Sequence, residues 1–186
     1  MRKLILASRS PRRQEILAKC NIPFTTEPAD IDETIDTSLS IPVAIEDLAL
    51  RRARSIAIQQ PDAVVIGSDT VVVCNGKILG KPSDREDAKH MLQMLQNNTH
   101  QVITGLAVIT PEKTYTDVNI SYVTFAAMDE KEIEKYISTG ECDDKAGSYG
   151  IQGYGGRYIE KIEGDYYSIM GLPLHALYRI LCDIYD

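Results

Sequence analysis

Short apolar runs of strand length alternate along this chain with longer segments of helical periodicity, and that alternation narrows the choice of folds most. Leu4-Ile5-Leu6-Ala7 reads as a buried strand. Ser10 and Pro11 supply an N-cap and a first-turn proline, so a helix is predicted through about Cys20, with Ile16 and Leu17 inward, stopped by Asn21 and Pro23. From Pro42, the set Ile45, Leu48, Ala49, Ala53, Ile56 and Ala57 keeps helical spacing as far as Pro61. Residues 63–67 read as another buried strand, interrupted by Ser68-Asp69-Thr70 before Val71-Val72-Val73. Asn75-Gly76 is a two-residue hairpin signal ahead of Ile78-Leu79. Ser83-x-x-Glu86 is a capping box and Asp129-x-x-Glu132 resembles another helix start, opening helices with inward stripes Ala88, Met91, Leu92, Leu95 and Ile133, Tyr136, Ile137. Residues 102–109 and 118–125 predict two strands joined across Pro111-Glu112-Lys113, and a further strand lies near 158–162. The last helix starts at about Pro173, with Leu174, Leu177, Tyr178, Leu181 and Ile184 inward. The mixture of hairpins and alternating elements predicts an α/β fold, a mixed β-sheet flanked by helices.

With 186 residues and no repeat or low-complexity tract, residues 1–186 are expected to form a single domain. Hydrophobic residues at 44% and charged ones at 25% exclude a disordered or collagen-like chain. Twenty lysines and arginines against 27 acids leave a net charge of −7, which argues against binding long nucleic acid. A small anion needs only a few local cations and stays open. No apolar run reaches the roughly 18 residues of a membrane span, and the run after Met1-Arg2-Lys3 is too short for a signal peptide. No membrane partner and a cytoplasmic location are therefore expected. Cys20, Cys74, Cys142 and Cys182 contain no CxxC pair and read as reduced thiols.

Four stretches hold candidate chemistry. Ser8-Arg9-Ser10-Pro11-Arg12-Arg13 crowds hydroxyls and guanidiniums at a strand-to-helix junction, where unpaired amides and the helix dipole favour an anion. Cations in a first helical turn oppose the dipole, so they cost stability without an anion; the alternative is a solvated basic turn. Asp69 breaks an apolar stretch and can orient a metal or activate water, and Lys81 in Gly80-Lys81-Pro82 can neutralise phosphate; otherwise Asp69 is a loop carboxylate. Asp30, Asp32, Glu33 and Asp36 form an acidic segment, a solvated loop or the source of one magnesium ligand. Five of the twelve glycines fall between Gly147 and Gly156, permitting close backbone approach to a ligand or simply a mobile surface loop. Gln152 there can read a planar hydrogen-bonding edge. His90, His100 and His175 share no metal-like spacing and read as structural or solvated.

Together these motifs resemble the Maf family of nucleotide pyrophosphatases. The resemblance runs in order through Leu6-Ala7-Ser8-Arg9-Ser10-Pro11-Arg12-Arg13, Ser68-Asp69-Thr70-Val71-Val72, Gly80-Lys81-Pro82, His100-Gln101-Val102-Ile103-Thr104-Gly105, Asp144-Lys145-Ala146-Gly147 and Gly171-Leu172-Pro173-Leu174. Tyr149-Gly150-Ile151-Gln152-Gly153 is similar to the branch acting on dTTP and UTP.

The resemblance implies a fold similar to inosine-triphosphate pyrophosphatases, a divalent metal (Mg or Mn) and a homodimer. It implies hydrolysis of dTTP and UTP, or modified pyrimidine nucleotides, to monophosphate and pyrophosphate in a housecleaning role. A nucleotide-binding regulator of division or septum formation with little hydrolysis is the alternative. By similarity, Asp69 is catalytic, and Ser8, Arg12, Arg13 and Lys81 hold the triphosphate. Glu33 and Asp69 lie at metal positions, and Arg12, Thr70 and Gln152 at specificity positions. One departure concerns a family lysine in a pattern like Ala-Arg-x-Lys-Ala, where this chain reads Ala53-Arg54-Ser55-Ile56-Ala57. Arg52, one turn before Ile56 on the same face, is the candidate substitute for that charge; the alternative is a solvated surface arginine like Arg51 and Arg54.

Overall fold

A computed structural model describes residues 2–185. It contains a seven-stranded mixed sheet of order β2-β1-β3-β5-β6-β7, with β4 paired to β3. The strands are β1 (Leu4–Leu6), β2 (Phe24–Thr26), β3 (Val64–Cys74), β4 (Lys77–Leu79), β5 (Thr99–Ile109), β6 (Thr114–Phe125) and β7 (Ile159–Glu163). The helices are α1 (Pro11–Ala18), α2 (Ile41–Ala57), α3 (Arg85–Leu95), α4 (Glu130–Ile137), α5 (Tyr166–Met170) and α6 (Leu174–Tyr185). The expected α/β architecture is therefore present. Among the described residues, no helix is long and apolar enough to cross a membrane.

The chain divides into two compact units. The first comprises Met1–Thr70, Thr104–Asn119 and Gly171–Asp186, the second Val71–Ile103 and Ile120–Met170. In the first unit, β1 pairs in parallel with both β2 and β3, with Leu4 opposite Phe24 and Val64. All three residues of β1 are buried, as expected for a strand covered on both faces. Helix α2 packs Ala49, Ala53 and Ile56 into a cluster with Ile5, Ala7, Ala63, Val65 and Ala107. Two glycines allow that packing. A Cβ on Gly67 would lie 2.8 Å from the Ala53 amide nitrogen, and one on Gly105 would lie 2.5 Å from the Ile45 carbonyl oxygen. The backbone of α2 thus lies directly against β3 and β5.

In the second unit, Asn75 and Gly76 both take positive φ, as a type I′ hairpin requires, and Val72 pairs with Leu79. The expected helix start at α4 is a capping box, with Asp129 and Glu132 each bonded to the other's backbone N–H. Helix α3 starts one residue later than expected. Asp84 caps it by accepting from the Asp87 N–H, while Asp87 reaches back to the Ser83 N–H. Buried residues Ala88, Met91, Leu92 and Leu95 form the expected stripe.

The structure departs from the apolar pattern at other places as well. Residues 64–74 form one continuous strand, so Asp69 sits within a ladder and not in a break. Tyr178 is 48% exposed; Leu177 and Leu181 are the buried residues of α6. Strands β5 and β6 begin three and four residues earlier than the apolar pattern suggested, because their first residues are mostly polar and so fall outside an apolar run.

Candidate active site

The turn after β1 is built by its own hydroxyls. Ser8 is buried, its N–H returns to the Leu6 carbonyl at 2.9 Å, and its Oγ accepts from the Ser10 N–H at 3.1 Å. Ser10 is the N-cap of α1, in extended conformation with its Oγ accepting from the Arg13 N–H at 3.4 Å, and Pro11 follows it. No acidic residue occupies the first turn, so the dipole at this end faces Arg12 and Arg13.

Arg13 is held by three neutral acceptors. Its Nε donates to the Gly171 carbonyl at 2.8 Å, and its terminal nitrogens reach Ser8 Oγ at 3.4 Å and Thr70 Oγ1 at 3.5 Å. Burial lowers its pKa to about 10, with Asp69 acting in the opposite direction, so it stays charged at neutral pH. A guanidinium drawn out of water and hydrogen-bonded to uncharged groups is prepared for an anion. Thr70 Oγ1 lies 3.0 Å from the hydroxyl of buried Thr104, and buried Ser68 Oγ lies 2.8 Å from the Gly105 carbonyl and 3.0 Å from that of Gly171.

From Thr70 the network continues into carboxylates. The Thr70 N–H donates to Asp69 Oδ1 at 2.9 Å, and Arg52 Nε donates to Asp69 Oδ2 at 2.5 Å. A terminal nitrogen of Arg52 donates to Glu33 Oε1 at 2.8 Å. One guanidinium therefore bridges both acidic positions that the sequence singled out. The Arg52 and Asp69 side chains are 15% and 14% exposed and Glu33 is 68% exposed, so the bridge runs from a sheltered end to a wet one. Burial disfavours the Arg52 charge, but Asp69 and Glu33 outweigh it and raise its pKa above the ordinary value.

Ile56 has a different place. It is 5% exposed within the α2 core cluster, where a lysine ammonium would be stranded among apolar side chains. The cation of α2 at the carboxylates is Arg52, and the supposed gap at Ile56 lies on the core face.

Ser8, Arg13, Glu33, Asp69 and Thr70 thus belong to one connected network in the first unit, and Arg12 lies in the first turn of the same helix. Lys81 and Gln152 belong to the second unit. Lys81 is exposed after β4, and the preceding Gly80 carbonyl accepts from the Gly147 N–H at 3.1 Å. Gln152 is exposed in the glycine-rich loop. Thr104 and Ser68 carry no functional signal in the sequence beyond being small polar residues beside apolar runs, and the structure buries both.

The carboxylate donors suit a magnesium-type ion, which commonly takes one or two carboxylates and fills its remaining positions with phosphate and water. Among the described residues, no three His, Cys, Asp or Glu side chains gather as a complete ligand set.

A family model described as Maf-like protein matches residues 3–184. A dTTP/UTP pyrophosphatase of Bacillus cereus is 46% identical over 181 residues, covering 97% of this chain and 95% of its own length. A protein of the same name from Bacillus cytotoxicus matches with the same identity and coverage. The solved structure of the Staphylococcus aureus Ham1 protein shares the fold, with a TM-score of 0.58 at 14% identity over 98% of this chain and 99% of that one. The anion-ready turn, the bridged carboxylates and the near full-length match agree, and this chain belongs to the Maf family.

Proposed function

We propose that this protein hydrolyses dTTP and UTP to the monophosphate and pyrophosphate. The observation that carries the reading is the continuous path Gly171–Arg13–Thr70–Asp69–Arg52–Glu33, which joins an anion-ready cation to a held carboxylate. Relatives named for this activity match 97% of the chain, which supports the same substrate class. The family match runs through both units, which supports treating residues 1–186 as a single pyrophosphatase domain.

Phosphoryl chemistry requires positioning and charge stabilisation more than covalent participation. Ser8, Arg12, Arg13 and the first-turn amides of α1 would hold phosphate oxygens, with Lys81 supplying a further cation. Asp69 would orient the attacking water and take its proton while the water oxygen bonds to the α-phosphorus and the bond to the leaving pyrophosphate breaks. Arg52, bonded to Asp69 Oδ2, keeps that carboxylate aimed. Asp69 and Glu33 would hold magnesium or manganese, which when bound supplies charge neutralisation to the phosphate oxygens. Arg12, Thr70 and Gln152 would set the preference among nucleotides. The Gln152 amide can donate to uracil O4 and accept from N3–H, a pattern that cytosine reverses. A thymine methyl is worth at most about 3 kcal/mol in a pocket, so acceptance of both dTTP and UTP follows.

A panel of dTTP, UTP, CTP, ATP and GTP with magnesium or manganese, followed by pyrophosphate release, tests this reading. Turnover of dTTP and UTP well above CTP is expected. Tight nucleotide binding with no pyrophosphate from any of them would favour the division-regulator alternative. Arg52 places a cation at both carboxylates, which favours hydrolysis over that alternative. A housecleaning role in the cytoplasm as a homodimer completes the proposal; light scattering is expected to give twice the chain mass, and a single-chain mass would exclude the dimer.

A further inference from the structure

The loop that carries Gln152 is tied on its C-terminal side to the Glu141 carboxylate and on its N-terminal side to the Tyr136 hydroxyl, which bonds the same carboxylate. Glu141 Oε1 accepts from the Tyr154 N–H at 2.8 Å, and Oε2 accepts from the Gly155 N–H at 2.8 Å. The Tyr136 hydroxyl donates to the same Oε2 at 2.6 Å and accepts from the Gly150 N–H at 3.1 Å. Residues 150 and 154–155 are thereby anchored, and exposed Gln152 sits between the anchors. Tyr136 is itself fixed, fully buried on the core face of α4 with its ring edge-on to Tyr158. An ionised carboxylate is acceptor-only, which matches the three donors converging on it.

The glycine density of this segment has the same origin. A Cβ at Gly153 would lie 2.6 Å from Glu141 Cδ and overlap its Oε1. One at Gly155 would lie 2.9 Å from the Tyr136 hydroxyl oxygen, and one at Gly150 would lie 2.9 Å from Lys145 Cε. Lys145 in turn donates to the Glu141 carbonyl at 2.9 Å. The glycines let the backbone close down on these side chains, so the loop takes a defined shape from contacts beneath it. A fixed amide discriminates uracil from cytosine, whereas a freely turning one accepts both patterns.

We propose that Glu141, with Tyr136, is a positioning residue for base selection: it holds the loop so that the Gln152 amide presents one fixed edge to the pyrimidine. The inference rests on the reading of Gln152 as the group facing the base. Neither Glu141 nor Tyr136 touches the reacting phosphates in this assignment.

Steady-state kinetics of full-length Glu141→Gln, Tyr136→Phe, Gln152→Ala and the double variant Glu141→Gln/Gln152→Ala on UTP and CTP separate the possibilities. Glu141→Gln keeps the side-chain size but places an NH2 among N–H donors. It should lower the UTP-to-CTP ratio of kcat/KM by about tenfold, through KM and with kcat for UTP nearly unchanged. In the Gln152→Ala background it should change the ratio no further. An unchanged ratio in Glu141→Gln, beside an altered one in Gln152→Ala, would overturn the positioning role alone. An unchanged ratio in Gln152→Ala would remove the base-reading assignment and the inference with it. Should Glu141→Gln fail to fold, Tyr136→Phe carries the same test, since it releases Gly150 while leaving the Tyr154 and Gly155 bonds to Glu141; equal UTP-to-CTP ratios in Tyr136→Phe and wild type would then overturn the proposal.

Discussion

Arg52 and Asp69 show how one side chain can set the geometry of another. Asp69 has both carboxylate oxygens engaged, one by its neighbour's N–H and one by a guanidinium from α2. Replacing Asp69 by Asn keeps its shape and can keep the Thr70 bond, so folding should survive and Arg52 retains Glu33. The variant lacks a group able to take a proton, and kcat for UTP should fall by about 10²-fold or more while nucleotide binding persists. Stopped assays with pyrophosphate detection, paired with equilibrium nucleotide binding, check both halves. Near wild-type turnover would exclude Asp69 as the base. Alanine is a poorer probe here, because it leaves a sheltered guanidinium without its main partner.

At the scale of elements, α2 reaches the sheet only where the sheet offers no side chain. Gly67→Ala would place a methyl against the Ala49 carbonyl and the Ala53 amide, both backbone atoms that cannot rotate away. Helix α2 must then shift, at a cost of about 1–3 kcal/mol for an overpacked core. Arg52 rides on that helix, so the shift should also loosen its contact with Asp69. Both a lower Tm and a lower kcat/KM for UTP are expected; a stable, fully active Gly67→Ala enzyme would show that the approach is not tight. The sequence made the elements legible where local chemistry decides them: Ser10-Pro11 at α1, Asn75-Gly76 at the hairpin, Asp129 and Glu132 at α4. It failed where pairing decides them. Ser68-Asp69-Thr70 looks like an interruption because its residues are polar, yet the ladder of β3 holds them in extended conformation. Strand β2 and helix α5, three and five residues long, have too little periodicity to register. The candidate site was legible as residue types, but the bridging of Glu33 and Asp69 by Arg52 depends on a tertiary contact that no local pattern encodes.

Across the whole molecule, the net charge of −7 contrasts with the cations gathered at the first turn of α1, so the attraction proposed for an anion there is local. Acid sensitivity of the fold is expected to have an equally local component. His100 is 2% exposed, its Nε2 lies 2.7 Å from the Tyr149 hydroxyl, and its Nδ1 is buried with no hydrogen-bond partner. It packs edge-on against Phe125 and Tyr149, and burial lowers its pKa to about 4. The unfolded chain, with an ordinary histidine near 6.5, therefore binds the additional proton first as pH falls. Stability from keeping His100 neutral is complete above about pH 6.5 and is lost progressively down to about pH 4. The difference amounts to roughly 3 kcal/mol at 1.36 kcal/mol per pKa unit. His100→Gln, which keeps a polar partner for Tyr149 but cannot titrate, should be less stable than wild type at pH 7.5. The gap between their unfolding free energies should narrow steadily between pH 6.5 and 4, with carboxylate titration common to both proteins cancelling in the comparison. A gap independent of pH over that window would mean that His100 is protonated in the folded protein or that its site admits water.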